Sequence, residues 1–443
     1  MSFVPHSERD RREMLEHVGV SSARELFSDV PEDLILSGDL DVPAALSEWE
    51  AVHRLETLAA ENEHLVSFAG AGIYDHYVPA AVDHLIRRSE FYTAYTPYQP
   101  EVAQGTLQVI YEFQSMVCEL TGMDVANASM YDGPSAAAEA AILARSATRR
   151  SEVVVAASLH PHYRKVIRTY LSGQGVAPQP VAWTEAGGVD AGELEAHLNG
   201  DTACVVVQQP NFFGLIEDLE PIAERVHAAG ALLVVVADPM ALPILRSPGA
   251  CGADIVVAEG QPFGNTPNYG GPVVGLFAAR QNLVRKMPGR IVGATVDTDG
   301  QRGYVLTLQT REQQIRREKA TSNICTNQGL NALAATIHIA LLGRSGVREA
   351  AEASAQNAHY ASRLLADAGV ELMFPDSPFV REFAVRTADP SRDVLERGIE
   401  RGVLAGVSLS RFPALEAGDG LLLAFTEKRS REEIHLLADV IAG

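Results

Sequence analysis

Two strand-like runs, "ALLVVVAD" (231–238) and "DIVVAE" (254–259), end in carboxylates, Asp238 and Glu259. The second opens into the loop "GQPFGNTPNYGGP" (260–272). In an open α/β sheet the loops beyond the carboxyl ends of the strands are where reactive side chains are expected. This loop is dense in Gly, Pro and Asn and carries no positive charge. Elsewhere, "HPHYRKV" sets His160 and His162 just beyond the first strong strand, a spacing that suggests a metal. No third ligand lies nearby, so a turn with partly exposed histidines is the better expectation. The stretch "AGAGIYDH" has Gly70 and Gly72 but Asp75 where a dinucleotide fingerprint needs its third glycine, and no strand of buried type precedes it. A tight turn is expected there instead. Neither a Walker A sequence nor a G-x-S-x-G elbow occurs.

The elements that must position these residues follow from periodicity. The first sixty or so residues read as short helices: "SSARELF" offers Ser22 and Glu25 at capping-box spacing, and "ALSEWEAVHRLETLAAEN" repeats its apolar residues at helical intervals. A helix "EVAQGTLQVIYEFQSMVCELTG" closes on Gly122 as a C-cap, and "PSAAAEAAILARSA" opens with proline in its first turn. The runs "EVVVAAS", "ACVVVQQ", "ALLVVVAD", "DIVVAE" and "PVVGLFAA" then alternate with helices such as "DLEPIAERVHAAG". Continuous apolar strands of this kind indicate a mainly parallel sheet covered on both faces. Beyond residue 326 a long apolar helix leads to the strands "REFAVR" and "DGLLLAFT" and to a closing helix with a capping box at Ser430 and Glu433. The expected division is an N-terminal helical arm over 1–66, a large α/β domain over 67–325 and a small α+β domain over 326–443.

Bulk properties narrow the function. A chain of 443 residues, 47% hydrophobic, can bury a large core. Net charge of −21, spread along the chain, argues against a phosphate-backbone partner. No wholly apolar run approaches the roughly 20 residues of a membrane span, and the charged start "MSFVPHSERDRREML" is unlike a signal peptide, so a cytoplasmic protein is expected. Cys118, Cys204, Cys251 and Cys325 are far apart, without a C-x-x-C pair, and read as lone packed thiols, with no metal site.

An aspartate ending a buried strand ("VVVADPMAL"), with another strand and loop about twenty residues on, resembles the layout of aspartate-aminotransferase-like (fold type I) pyridoxal phosphate enzymes. There the aspartate pairs with the protonated pyridine nitrogen, and a lysine in the later loop forms the Schiff base. Here that lysine is missing: the chain has only Lys165, Lys286, Lys319 and Lys428. Arginine cannot replace it, because a guanidinium with a pKa above about 12 is never a free amine. The helix start that would hold the phosphate, "SMYDGPSAAAEAA", adds a carboxylate at Asp132 and loses an N–H at Pro134.

Longer stretches are more specific. "FVPHSERDRREMLEHVGVSSARELFSDVP", "FAGAGIYDHYVPAAVDHL", "FYTAYTPYQPEVAQGTLQVIYEFQSMVCELTGMDVANASMYDGPSAAAEA", "GQPFGNTPNYGGPVVGLFA" and "GRIVGATVDTDGQRGYVLTLQTREQQIRREKATSNICTNQ" resemble the glycine decarboxylase (P-protein) family of the glycine cleavage system. The likeness is to subunit 1, the α subunit of its two-chain form, and it covers most of the first 330 residues. The resemblance implies glycine dehydrogenase (aminomethyl-transferring) activity shared with a subunit 2 that holds pyridoxal phosphate on its lysine. Glycine would lose CO₂, and its aminomethyl group would pass to the lipoyl arm of H-protein, with T- and L-proteins in the same system.

In this chain the resemblance points to the rigid loop "YTAYTPYQPE". Tyr95, Thr96, Tyr98, Gln99 and Glu101, with Asn265 and Asn268 of the glycine loop, are expected at the interface or substrate channel. Packing of the subunit interface alone is an equal alternative for the tyrosines. Arg316, Arg317 and Lys319 could meet the partner or H-protein, or simply be solvated. Asp238 is expected to be a vestige of the cofactor site, so that Asp238→Asn should leave decarboxylation nearly intact. Two rivals stand beside this reading: a stand-alone pyridoxal phosphate enzyme with a displaced lysine such as Lys319, and a non-catalytic structural or regulatory homologue.

Overall fold

The computed structural model describes residues 5–38, 40–320 and 322–443; the first four residues of the opening segment, Asp39, and Thr321 of the "RREKATSNICT" stretch lie outside it. The chain forms two compact units, one ending at Glu63 and the other running from His64 to Gly443. The first contains helices α1 (Glu8–Val18) and α2 (Glu48–Ala59), each started by a serine capping box, Ser7 with Asp10 and Ser47 with Glu50. The capping box expected at Ser22 and Glu25 is replaced by a 3-10 turn, Ala23–Phe27, with no side-chain cap from Ser22. Glu25 accepts the Ser21 amide instead. Neither α1 nor α2 buries a residue.

The second unit is built on a seven-stranded sheet. Its strands are β1 (Val125–Ala126), β2 (Glu152–Ala156), β3 (Gln179–Val181), β4 (Thr202–Gln209), β5 (Leu232–Ala237), β6 (Ile255–Glu259) and β7 (Gly275–Ala279), in the order β1-β7-β6-β5-β4-β2-β3. Pairings from β6 through to β3 are parallel, whereas β7 and β1 add antiparallel. The Val-rich β4, β5 and β6 are buried almost throughout, which is why their sequence shows no polar alternation.

Four helices of this unit matter for the site. α3 (Gln104–Thr121) starts three residues later than the sequence pattern suggests, because Pro100 and Glu101 are spent in turns, and it ends on the left-handed Gly122. α4 (Gly133–Thr148) lies on the sheet through buried alanines, Ala136, Ala137, Ala140, Ala141 and Ala144, whose small side chains let the helix come close. α5 (Pro161–Ser172) follows β2 and buries Tyr163, Ile167 and Leu171. α6 (Leu219–Ala228) precedes β5.

The long α7 (Gly329–Asp367) breaks at Gly343, whose φ of 61° and ψ of −175° are left to glycine. One 18-residue window of this helix is long and apolar enough to cross a bilayer, and the helix packs against α3 and the closing α8 (Arg431–Ala442). It leads into a four-stranded antiparallel sheet of Glu371–Leu372, Glu382–Arg386, Leu421–Ala424 and Val407–Ser408. Phe68, Phe383 and Phe425 fill a second core beneath that sheet. The pair Val66–Ser67 runs parallel to Val403–Leu404, so residues 68–77 thread between the small sheet and the large one.

Candidate functional site

All parallel strands aim their carboxyl ends at one edge, where polar side chains gather: His160 beyond β2, Gln208 and Gln209 in β4, Asp238 beyond β5 and Glu259 closing β6. Asp238 is engaged from both sides. One carboxylate oxygen accepts the Met240 amide at 3.0 Å, and the other accepts Arg381 Nε at 2.6 Å. The Arg381 guanidinium carbon lies 3.6 Å from the Tyr74 ring centroid, a stacked cation–π contact. Its Nη1 donates to His76 Nε2 at 2.8 Å, which leaves the imidazole proton on Nδ1 to donate to Glu427 Oε2 at 2.6 Å. Burial pushes His76 down, matching this neutral role; burial also pushes Arg381 down, but the Asp238 charge and hydrogen bond, with Tyr74 and Glu382, together raise it. The Tyr74 hydroxyl donates to Glu382 Oε2 at 2.8 Å, and Glu382 Oε1 accepts the Ala71 amide at 2.8 Å. Burial raises Glu382 to about 7.

A second cluster sits at the start of α4. Asp132 Oδ1 accepts the Ser135 amide at 2.6 Å, and Glu259 Oε2 accepts the Gly133 amide at 2.9 Å. Pro134 has no N–H, and the Ala136 amide is already bonded to the Asp132 carbonyl. The first turn therefore has no free donor. Glu259 uses its other oxygen for the amides of Gln261 and Val274, at 3.0 and 3.1 Å, and burial lifts it to about 7. The buried Tyr163 phenol is raised by burial and then by the charges of Glu259, Asp132 and Asp238.

The glycine loop divides in two. Gln261, Phe263 and Gly264 are buried, while residues 266–270 are exposed. Asn265 Nδ2 reaches the Asn331 carbonyl at 3.3 Å, which ties the loop to the first turns of α7. Asn268 lies on the exposed part. Tyr95 and Thr96 line a cavity of about 140 Å³ with Phe91, Ile110, Asn327 and Leu333, the last of these on α7. Tyr95, Tyr98, Gln99 and Glu101 are exposed. Tyr98 oxygen accepts Arg290 Nη2 at 3.3 Å, and the buried Arg290 also reaches Asn327 Oδ1 at 3.3 Å. Arg316, Arg317 and Lys319 stand exposed in a separate segment. His160, expected partly exposed, is buried: its Nδ1 caps α5 by accepting the His162 amide, and its Nε2 bonds the Ala71 carbonyl at 2.8 Å. Among the described residues no cluster of three metal-ligating side chains occurs.

The sequence profile of the glycine cleavage system P-protein family matches residues 1–441. The chain belongs to that family. It is 52% identical over 442 residues to the probable glycine dehydrogenase (decarboxylating) subunit 1 of Desulforamulus reducens, covering 99% of this chain and 98% of that one. A crystal structure of glycine decarboxylase (P-protein) of the glycine cleavage system, in inhibitor-bound form, superposes with a TM-score of 0.91 at 43% identity, covering 100% of this chain and 99% of its own. Glutamate decarboxylase of Lactobacillus brevis shares the fold, with a TM-score of 0.69 at 13% identity over 93% of this chain and 96% of its own. The architecture is thus the fold type I of pyridoxal phosphate enzymes, in the form of a P-protein subunit 1.

The residues at the strand edge of this P-protein chain do not fit pyridoxal phosphate. No lysine lies in the loop between β6 and β7, residues 260–274. The amides that could hold a phosphate are taken by Asp132 and Glu259. Asp238, the residue expected to face a pyridine nitrogen, already holds Arg381, and the space bounded by Tyr74, Gln208, Asn211, Asp238, Arg381 and Glu382 is about 20 Å³, enough for one water. Sequence reasoning missed Arg381, Tyr74, Glu382, His76 and Glu427. The available signal was "SPFVREFAVR", where two opposite charges open a strand that is otherwise buried.

Proposed function

We propose that this chain is the α half of a two-chain glycine decarboxylase in which the second subunit supplies both the Schiff-base lysine and the pyridoxal phosphate. The observation that carries this reading is the pairing of Asp238 with Arg381 in a chain whose loop after β6, residues 260–274, has no lysine. A cofactor held by the partner supplies an electron sink for decarboxylation of glycine. What this chain contributes is shape and polarity at the interface. The loop 93–103 is stiffened by Pro97 and Pro100 and pinned by Gln104, whose side chain bonds the Pro100 carbonyl at 2.8 Å and the Tyr304 backbone at 2.9 Å. A loop so fixed presents Tyr95, Thr96 and Tyr98 with little loss of entropy, and with Asn265 and Asn268 it forms this chain's wall of the substrate channel. Arg316, Arg317 and Lys319 offer an exposed cationic segment to the partner or to lipoylated H-protein, which takes the aminomethyl group. The T- and L-proteins complete the system, and the cytoplasm, where the four free cysteines stay reduced, is its place.

The test is coexpression with the second subunit, followed by exchange of bicarbonate into glycine. Activity should need both chains. Borohydride reduction of the complex with pyridoxal phosphate, followed by peptide mapping, should mark a lysine of the partner alone. A pyridoxyl group on Lys319 of this chain overturns the assignment.

A further inference from the structure

Arg381 is only 2% exposed, and it meets Asp238 across 143 residues of sequence. Burying a guanidinium costs free energy unless a charge and hydrogen bonds compensate it. Here Asp238, His76 and the Tyr74 ring do so, while Nη2 keeps no partner. A pyridinium bound at an aspartate is a flat, delocalised cation with one N–H aimed at the carboxylate. Among side chains, protonated guanidinium has that same description, and it stacks on aromatic faces as an ammonium does not.

We propose that Arg381 is an internal stand-in for the cofactor's pyridinium ring. It occupies the face of Asp238 permanently and so keeps this half-site folded and shut. Asp132 and Glu259 do the same at the phosphate end, taking the amides at the start of α4. The stand-in also fastens the molecule together. Arg381 leads into the small-sheet strand Glu382–Arg386, Asp238 follows β5 of the large sheet, and Tyr74 with His76 comes from the segment threaded between them. One side chain thus clamps three separate stretches. This rests on the reading that the second subunit holds the cofactor.

The test uses full-length Arg381→Gly, Arg381→Lys, Asp238→Leu and the double variant Arg381→Met with Asp238→Leu, each followed by thermal melting. Arg381→Gly should melt several degrees below the parent. Millimolar guanidinium, far below denaturing concentrations, should restore part of that loss saturably, while ammonium at equal ionic strength should not. Arg381→Lys should also melt low, because an ammonium cannot donate from two edges and stack. If Arg381→Gly fails to fold, the comparison moves to the other pair. Asp238→Leu strands a buried cation, so the double variant should melt above it. Parent-like melting of Arg381→Gly, guanidinium without effect, or a double variant no better than Asp238→Leu overturns the assignment alone. Saturable uptake of pyridoxamine 5′-phosphate by the parent chain without its partner, lost in Asp238→Leu, overturns both the assignment and the reading beneath it.

Discussion

Tyr98 accepts a hydrogen bond from Arg290 Nη2, which leaves its own O–H free to donate outward from an exposed loop. Arg290 is 3% exposed and is fixed besides by Asn327, so the phenol oxygen is held in place from behind. This geometry separates the two roles open to the tyrosine. If the ring only packed an interface, phenylalanine would serve equally well. If the hydroxyl faces bound glycine in the assembled enzyme, Tyr98→Phe should lower kcat/KM for bicarbonate exchange about tenfold, the ~1.4 kcal/mol of one hydrogen bond, with subunit association unchanged. Unaltered kinetics assigns the residue to packing. Asp238 belongs to the opposite class. Asp238→Asn should leave exchange per assembled enzyme near the parent value while lowering stability by about 1–3 kcal/mol, because an amide cannot neutralise the buried guanidinium. A loss of several orders of magnitude in activity would mean that this chain binds cofactor itself. Asp238 could be read from the sequence because it ends a strand, which is a local pattern. Its partner showed only as a charge pair opening the strand in "SPFVREFAVR"; that Arg381 meets a carboxylate 143 residues away is not written in any local pattern.

Elements were legible where one face decides the residue pattern. Uninterrupted Val and Ile marked β4, β5 and β6, and the capping box at Ser430 and Glu433 marked α8, whose cap bonds are present. The pattern failed where backbone conformation decides. The loop after β6 looked uniform, yet its first part is core, with Phe263 wholly buried and Gly264 at φ of +74° against α7. A Cβ at Gly264 would come within 2.6 Å of the Ala334 carbonyl oxygen, so loop and helix approach closely only because this residue has no side chain. Gly264→Ala should therefore destabilise the chain by about 2–4 kcal/mol, combining a strained left-handed alanine with backbone displacement. Urea unfolding should show the lower midpoint, and Gly270→Ala is the control, because open space surrounds that position although its φ is also positive. If the two variants unfold alike, left-handed strain alone explains the loss and close approach of α7 does not matter.

At the scale of the whole molecule, burial has shifted two opposed sets of titrating groups. Glu139, Glu259 and Glu382 are each raised by burial from 4.5 to about 7. Their folded values exceed the unfolded ones, so the stability they contribute is complete below about 4.5 and is lost as pH rises through about 7. His160 and His338 are lowered by burial from 6.5 to about 4. Their contribution is complete above 6.5 and is lost as pH falls through about 4. Across the interval between, one set declines while the other grows, so the parent should show a shallow dependence of melting temperature on pH. Thinning either set should tilt it. Glu139 sits on α4 among alanines, with the Ser322 hydroxyl to support its charge. Glu139→Gln should therefore gain on the parent as pH rises from about 5 to 8, by up to roughly 2–3 kcal/mol for one buried carboxyl. His338, whose Nδ1 has no partner, gives the mirror case: His338→Gln should gain on the parent as pH falls from about 7 to 4. Melting of the three proteins over one pH series decides the matter, since differences that stay constant with pH would mean that neither side chain changes its protonation on unfolding.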